Sequence, residues 1–282
     1  SPFAYVFYAT SASHACAALL LIHTLSLTSP NIPTILLAPP RPQLNPKHLA
    51  PFARYNTTIL RFPPPVLASG ANPYYKQVLL KLMAFKLNSH FPHLKRVIVM
   101  DADQTLLKPR ALHDLFRLEL SPGVDIAAPT AYWFGSDSDT SHNVPGYITT
   151  ALMLIQLSDE LWEEVDAGMN AIQSGEYDMD LINRLFYTTK RIHVLPGSYC
   201  TLNSHWDGKD KSGPPSWMKN PSAGLEGLWN TEAVLIHYSS VGKPWDVTER
   251  QLAHSHKDAD PQLPKMFKQW VGEAKGLCAP GW

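Results

Sequence analysis

The chain has 282 residues, 45% of them apolar and 17% charged, which is enough for a full core and excludes a disordered segment. Lysine plus arginine equals aspartate plus glutamate at 24 each, so the formal charge is zero. No bulk field therefore draws nucleic acid or an anionic membrane, and no stretch reaches the ~18–20 apolar residues of a spanning helix.

In chain order, 3–9 is a β-rich apolar run that ends in Thr10-Ser11-Ala12-Ser13, and a helix follows to about residue 27. Apolar runs at 32–38 and 57–62, each closed by prolines, read as strands, with 74–88 as a helix on Val78, Leu79, Leu82 and Phe85. Arg96-Val97-Ile98-Val99-Met100 is a strand feeding directly into Asp101. Later come a strand at 147–157, helices at 159–173 and 179–188, and a strand at 233–237. The stretch 204–227, rich in Gly, Pro, Ser and Trp, reads as a long loop too irregular for a packed element. This alternation predicts an α/β domain on a parallel sheet, with ligands beyond the carboxyl ends of strands, where Thr10 and Asp101 fall.

Cys16, Cys200 and Cys278 lack metal-finger spacing and allow at most one disulfide, which leaves the redox compartment open. Asn56-Thr57-Thr58 is an N-glycosylation acceptor pattern, usable only in a secretory lumen. The chain opens at Ser1 without methionine, which reads as a trimmed or mature form with an upstream anchor outside it.

Asp101-Ala102-Asp103 is the most informative segment. In an extended backbone, residues i and i+2 point the same way, so both carboxylates can face one hard cation, Mg²⁺ or Mn²⁺, with diphosphate oxygens completing its shell. Two other readings fit the same residues. Both aspartates could cap a turn. Asp101-Ala102-Asp103-Gln104-Thr105 also fits the nucleophile motif of haloacid-dehalogenase-type phosphatases.

The run from Ala233 to Trp245 is a second strand delivering a polar group, His237, into a small-residue loop that ends in Lys243-Pro244-Trp245. A Ser/Gly loop lets backbone N–H groups approach phosphate, Lys243 supplies charge, and His237 supplies a neutral nitrogen ligand. Mn²⁺ accepts such a mixed shell more readily than Mg²⁺.

Together these segments resemble glycosyltransferase family eight, the glycogenin-like enzymes, with its Asp-x-Asp pair and His-x-x-Gly-x-x-Lys-Pro-Trp signature. Further resemblances lie in Phe7-Tyr8-Ala9-Thr10, Lys81-Leu82, Asp178-Met179-Asp180-Leu181-Ile182-Asn183 and Leu195-Pro196-Gly197-Ser198-Tyr199, so the ordered matches run from about residue 3 to 245.

The resemblance implies a GT-A type, Rossmann-like fold: a mixed, mostly parallel sheet flanked by helices in one α/β domain over 1–282. Its nucleotide-binding half would be 3–110 and its acceptor and sugar half 111–250, with a C-terminal helix and tail over 251–282. It implies a retaining transfer from a UDP-sugar donor to a glycan or protein acceptor, with Mn²⁺, or Mg²⁺, held by Asp101, Asp103 and His237. Donor contacts would come from Tyr8, Ala9, Thr10, Lys81, Asp101, Ala102, Asp103, Thr150, Gly242 and Lys243, and Asp178 by register, backed by Asp180, would be the catalytic carboxylate. Asp180 reads equally well as a helix cap.

Several positions depart from the family. Ser240 stands in the signature glycine's place, His14 for a tyrosine, Met179 for a glutamine, and Thr149-Thr150-Ala151 for Asn-x-Gly. The local pattern is most similar to fungal Golgi N-acetylglucosaminyltransferases, which implies a lumenal type II protein, the cytoplasm being the alternative. A phosphatase and a non-catalytic nucleotide-sugar binder stand as rival functions.

Overall fold

The computed structural model describes residues 1–42, 44–72, 75–134, 146–209, 214–239 and 241–282. Ten strands occur among them: β1 (Phe3–Tyr8), β2 (Thr34–Ala38), β3 (Thr58–Arg61), β4 (Arg96–Met100), β5 (Gln104–Leu106), β6 (Ile126–Pro129), β7 (Leu152–Gln156), β8 (Ile192–Leu195), β9 (Thr201–Leu202) and β10 (Leu235–His237). Seven form one sheet in the order β3-β2-β1-β4-β7-β6-β8. β3, β2, β1 and β4 run parallel, β7 pairs antiparallel with both β4 and β6, and β8 returns parallel to β6. The sheet is mixed and mostly parallel, as the resemblance implied.

The central strands are near-continuous apolar runs because helical layers cover both faces of the sheet. Alternation along β1 sends Tyr5 and Phe7 to the face covered by helix Ala12–Thr28, and Ala4 and Val6 to the other. Helix Ala12–Thr28 starts where the Ser11 hydroxyl accepts the His14 N–H at 3.2 Å. It is buried on most sides, between the sheet and the C-terminal helix Gln262–Leu277. A Cys16–Cys278 disulfide joins it to the residue after that helix, and Cys200 is a buried free thiol.

The expected helix over 74–88 is instead a 3₁₀ run, Val78–Lys86, followed by one α turn, Leu87–His90; residue 74 lies outside the described residues. Every side chain from Leu79 to Phe85 is buried, so packing against the sheet overrides the helical spacing. The strand expected over 147–157 shortens to β7; ahead of it the Thr149 hydroxyl accepts the Ala151 N–H at 3.2 Å and the Thr150 hydroxyl accepts from Lys81 at 3.2 Å. The helix expected over 179–188 is an α segment, Asp178–Ile182, that widens into a π turn, Asn183–Tyr187. Within 204–227, described apart from 210–213, the loop reading needs correction: Trp206 and Met218 are buried in the core beside Leu228.

A second, three-stranded sheet, β5-β10-β9, sits beyond the carboxyl end of β4. β10 pairs antiparallel with β5 and parallel with β9, placing His237 opposite both Gln104 and Leu202. This small sheet carries the C-terminal residues to the aspartates.

Candidate active site

β4 is buried through Met100, and the chain then turns sharply: Asp101 N–H bonds the Ala151 carbonyl at 2.9 Å, and Gln104 N–H bonds Ala102 at 2.9 Å. The turn leaves Asp101 and Asp103 at the carboxyl end of the central strand, where β10 delivers His237. One ligand atom from each of the three lies within 4.8 Å of the others. Two carboxylates and an imidazole in that space are the donor set of a divalent cation of the Mn²⁺ or Mg²⁺ kind, so these residues fit such an ion.

His237 Nε2 stands 3.4 Å from Asp103 Oδ1, and Lys243 donates to Asp103 Oδ2 and to the Tyr238 carbonyl. At Asp103 burial opposes ionisation, but the charges of His237 and Lys243 outweigh it and hold the carboxyl well below the usual range. At His237 burial lowers the pKa, but Asp103 outweighs it, and the imidazole is pushed up to about 10. A bound cation would take the place of that proton's charge. The other ring nitrogen, Nδ1, faces Cys200 Sγ at 3.8 Å, which leaves Nε2 for the aspartates.

Behind Asp101 lies a buried network. Lys81 Nζ is 2.8 Å from Asp101 Oδ1 and 2.7 Å from Asp178 Oδ2, and donates to Thr150 Oγ1 at 3.2 Å. Thr150 in turn donates to Asp178. Burial opposes the Lys81 charge, but Asp101 and Asp178 more than offset it and raise its pKa above the ordinary lysine value. At Asp101 burial raises the carboxyl, Lys81 pulls it down, and Asp103 and Asp178 push it up again. The Tyr8 ring lies under Lys81 at 5.7 Å; burial, then the nearby aspartates, raise its hydroxyl well above the usual value.

These groups open onto a cavity of about 540 Å³. Of the residues singled out from sequence, Tyr8, Thr10, Lys81, Asp101, Ala102 and Asp103 line it from the first half of the chain. Thr150, Asp178, His237 and Lys243 line it from the second. Ala9, Asp180 and Gly242 do not.

Ala9 is fully buried, with its N–H bonded to the Leu37 carbonyl at 2.9 Å. Asp180 accepts the Tyr177 N–H at 2.9 Å and the Tyr147 hydroxyl at 2.5 Å, so its side chain closes the helix start from the third helical position, with Tyr177 as the cap residue. Gly242 sits at φ 99°, turning the loop between Tyr238 and Lys243, and a Cβ there would meet Val247 Cγ2 at 2.6 Å. Ser240 lies outside the described residues.

His14 and Met179, both noted as departures, line the cavity; His14 bonds Thr10 Oγ1 through Nδ1 at 3.1 Å, and burial lowers its pKa. Tyr75, Gln77 and Trp133 also line it and were not anticipated, because no spacing or motif marks them.

No family model matches the chain. It is 27% identical over 275 residues to glucose N-acetyltransferase 1 of Gibberella zeae, an alignment covering 90% of the chain and 56% of that protein. To the protein of the same name from Aspergillus fumigatus it is 25% identical over 276 residues, covering 89% and 67%. The chain thus spans little more than half the length of the first of these relatives. In structure it matches the galactosyltransferase LgtC, solved with donor and acceptor sugar analogues, with a TM-score of 0.63 at 16% identity over 95% of both chains. It also matches the bifunctional glycosyltransferase WbbM, with a TM-score of 0.62 at 16% identity over 95% of this chain and 51% of that one. The chain has the GT-A fold of the glycosyltransferases, and its relatives in sequence and in structure support the family-eight-like resemblance.

Proposed function

We propose that the chain is a retaining glycosyltransferase that moves a sugar from a UDP-sugar to a hydroxyl acceptor, with Mn²⁺ as its cation. The observation that carries this reading is the convergence of Asp101, Asp103 and His237 within 4.8 Å at the mouth of a cavity that Lys243 and Asp178 also line. Those three residues would hold the cation, which when bound would supply positive charge to a departing diphosphate. Lys243 is placed to add a second charge as a diphosphate displaces it from Asp103. Lys81, already paired, holds the Asp101 and Asp178 carboxylates in place. Asp178, aimed by Thr150 and Lys81, is the carboxylate available to stabilise oxocarbenium character at the anomeric carbon.

The two curated relatives are named for acetyl transfer to glucose. The cation group and Lys243 are suited to a departing diphosphate, which a nucleotide-sugar donor supplies, so sugar transfer suits these residues better. The dehalogenase-type phosphatase reading is not favoured: the matched folds are those of glycosyltransferases, and Asp101 is tied to a buried lysine. The disulfide fits the oxidising lumen of the secretory pathway, the Golgi compartment included. Among the described residues no helix is long and apolar enough to cross a membrane.

The test is release of UDP from a panel of UDP-sugars with and without Mn²⁺. The expected result is Mn²⁺-dependent release that collapses in Asp103→Asn; full activity in that variant overturns the assignment. A second reading, a nucleotide-sugar binder without turnover, is favoured by Met179, which lines the cavity at the position where the family has a glutamine. It predicts Mn²⁺-dependent UDP binding with no release from any donor.

A further inference from the structure

We infer that Asn56 carries an N-linked oligosaccharide, at the end of the molecule opposite the cation site. Asn56-Thr57-Thr58 is the one acceptor triplet in the sequence, since the middle residue of Asn220-Pro221-Ser222 is the proline that bars transfer. Asn56 follows the 3₁₀ helix Ala50–Tyr55 with φ 51° and ψ 36°, a left-handed turn that asparagine tolerates. Its side chain is exposed, and so is Thr58 at the start of β3. The middle residue is the anchored one: Thr57 Oγ1 meets Thr34 Oγ1 at 2.8 Å. The amide that would be modified and the hydroxyl that would assist the transfer therefore both face solvent, and the folded chain has room for a glycan.

Two further observations support this site. The Cys16–Cys278 disulfide points to an oxidising lumen, the compartment where such transfer occurs. Asn56 also precedes β3, which runs parallel to β2, β1 and β4, so it lies at the amino end of the sheet. The aspartates follow the carboxyl end of β4. An oligosaccharide at Asn56 projects away from the cavity and beside β3, the exposed edge of the seven-stranded sheet. Edge strands offer unpaired backbone to other chains, and a bulky polar group next to one blocks that pairing. In the transfer, Asn56 Nδ2 loses a proton and bonds the anomeric carbon of a lipid-diphosphate-linked oligosaccharide, and the lipid diphosphate leaves.

The experiment isolates the protein from a eukaryotic secretory host, fused to a tag bearing its own acceptor triplet, and treats it with peptide N-glycosidase in heavy-oxygen water. Tryptic mass spectrometry should find residue 56 converted to labelled aspartate, and Asn56→Gln and Thr58→Ala should each abolish that label. Recovery of an unmodified Asn56 peptide from protein whose tag is glycosylated overturns the inference. A label that persists in Thr58→Ala overturns it equally, because spontaneous deamidation does not need the hydroxyl. UDP release by Asn56→Gln should equal that of the parent; a fall would overturn the placement of the glycan away from the cavity.

Discussion

The Lys81 ammonium lies 2.7 Å from the Asp178 carboxylate and 2.8 Å from that of Asp101, and it is only 2% exposed. One buried ammonium therefore joins the Asp101 carboxylate at the end of β4 to the Asp178 carboxylate at the start of helix Asp178–Ile182. Lys81→Met should leave two buried carboxylates facing each other without a counter-charge. Breaking such a pair costs about 3–5 kcal/mol, so urea unfolding should show a large loss. Lys81→Arg should restore little of it, because a planar fork does not fit where a compact ammonium meets four oxygens, from Asp101, Asp178 and both the hydroxyl and carbonyl of Thr150.

Asp178 and Asp180 should separate cleanly by mutation. Asp180→Ala removes the acceptor for the Tyr177 N–H and should cost about 0.5–2 kcal/mol of stability, with UDP release retained. Asp178→Asn should abolish release while leaving Mn²⁺-dependent UDP binding measurable by calorimetry. The opposite pattern would move the chemistry to Asp180.

Gly242→Ala places a Cβ at φ 99° and against Val247 Cγ2. Left-handed backbone alone costs a non-glycine residue about 1–2 kcal/mol. The variant should unfold at lower urea and, because Lys243 is next in the chain, bind UDP more weakly. Adding Val247→Ala should relieve the contact but not the backbone, so only part of the loss returns.

Glu176 accepts from Arg184 Nε at 2.5 Å and Nη2 at 3.0 Å, and from the Gln173 N–H at 2.9 Å. Burial raises its carboxyl, but these bonds outweigh it and the pKa is lowered. A carboxyl depressed in the native state contributes stability that is fully present above the unfolded value, about 4.3. That contribution is lost as pH falls through the native value. Glu176→Gln should thus be less stable than the parent near neutrality, and urea midpoints of the two should converge in acid.

Cys278→Ser should cost about 2–4 kcal/mol, and reducing the parent should reproduce that loss. The tail beyond the disulfide packs through Trp282 on Trp270, and Trp270 packs on Trp245 beside Lys243-Pro244. Circular dichroism melts with and without reductant would measure the effect.

Elements that the sequence made legible are those whose local signal agrees with their surroundings. β1, β2 and β4 are unbroken apolar runs because both faces of the sheet are covered. β6, with Ala127, Ala128 and Pro129, has little β character of its own and exists because β7 and β8 flank it. β5 and β9 span three and two residues, too short for any period.

Within the site, Asp101, Asp103 and His237 stood out because strands lead into them, and Lys243 because it ends a small-residue loop. Lys81 was marked only through the Lys81-Leu82 resemblance, and the fold shows it buried between carboxylates. Trp133 and Tyr75 reach the cavity from irregular segments, where spacing carries no information.

The register of β10 against β5 has a temporal consequence. Asp101 and Asp103 emerge from the ribosome long before His237, and the imidazole reaches them only when β10 has zipped onto the short strand that follows the aspartates. A nascent chain halted before residue 235 lacks the imidazole. The three-residue group is thereby a product of long-range pairing, which neither segment of the chain can assemble by itself.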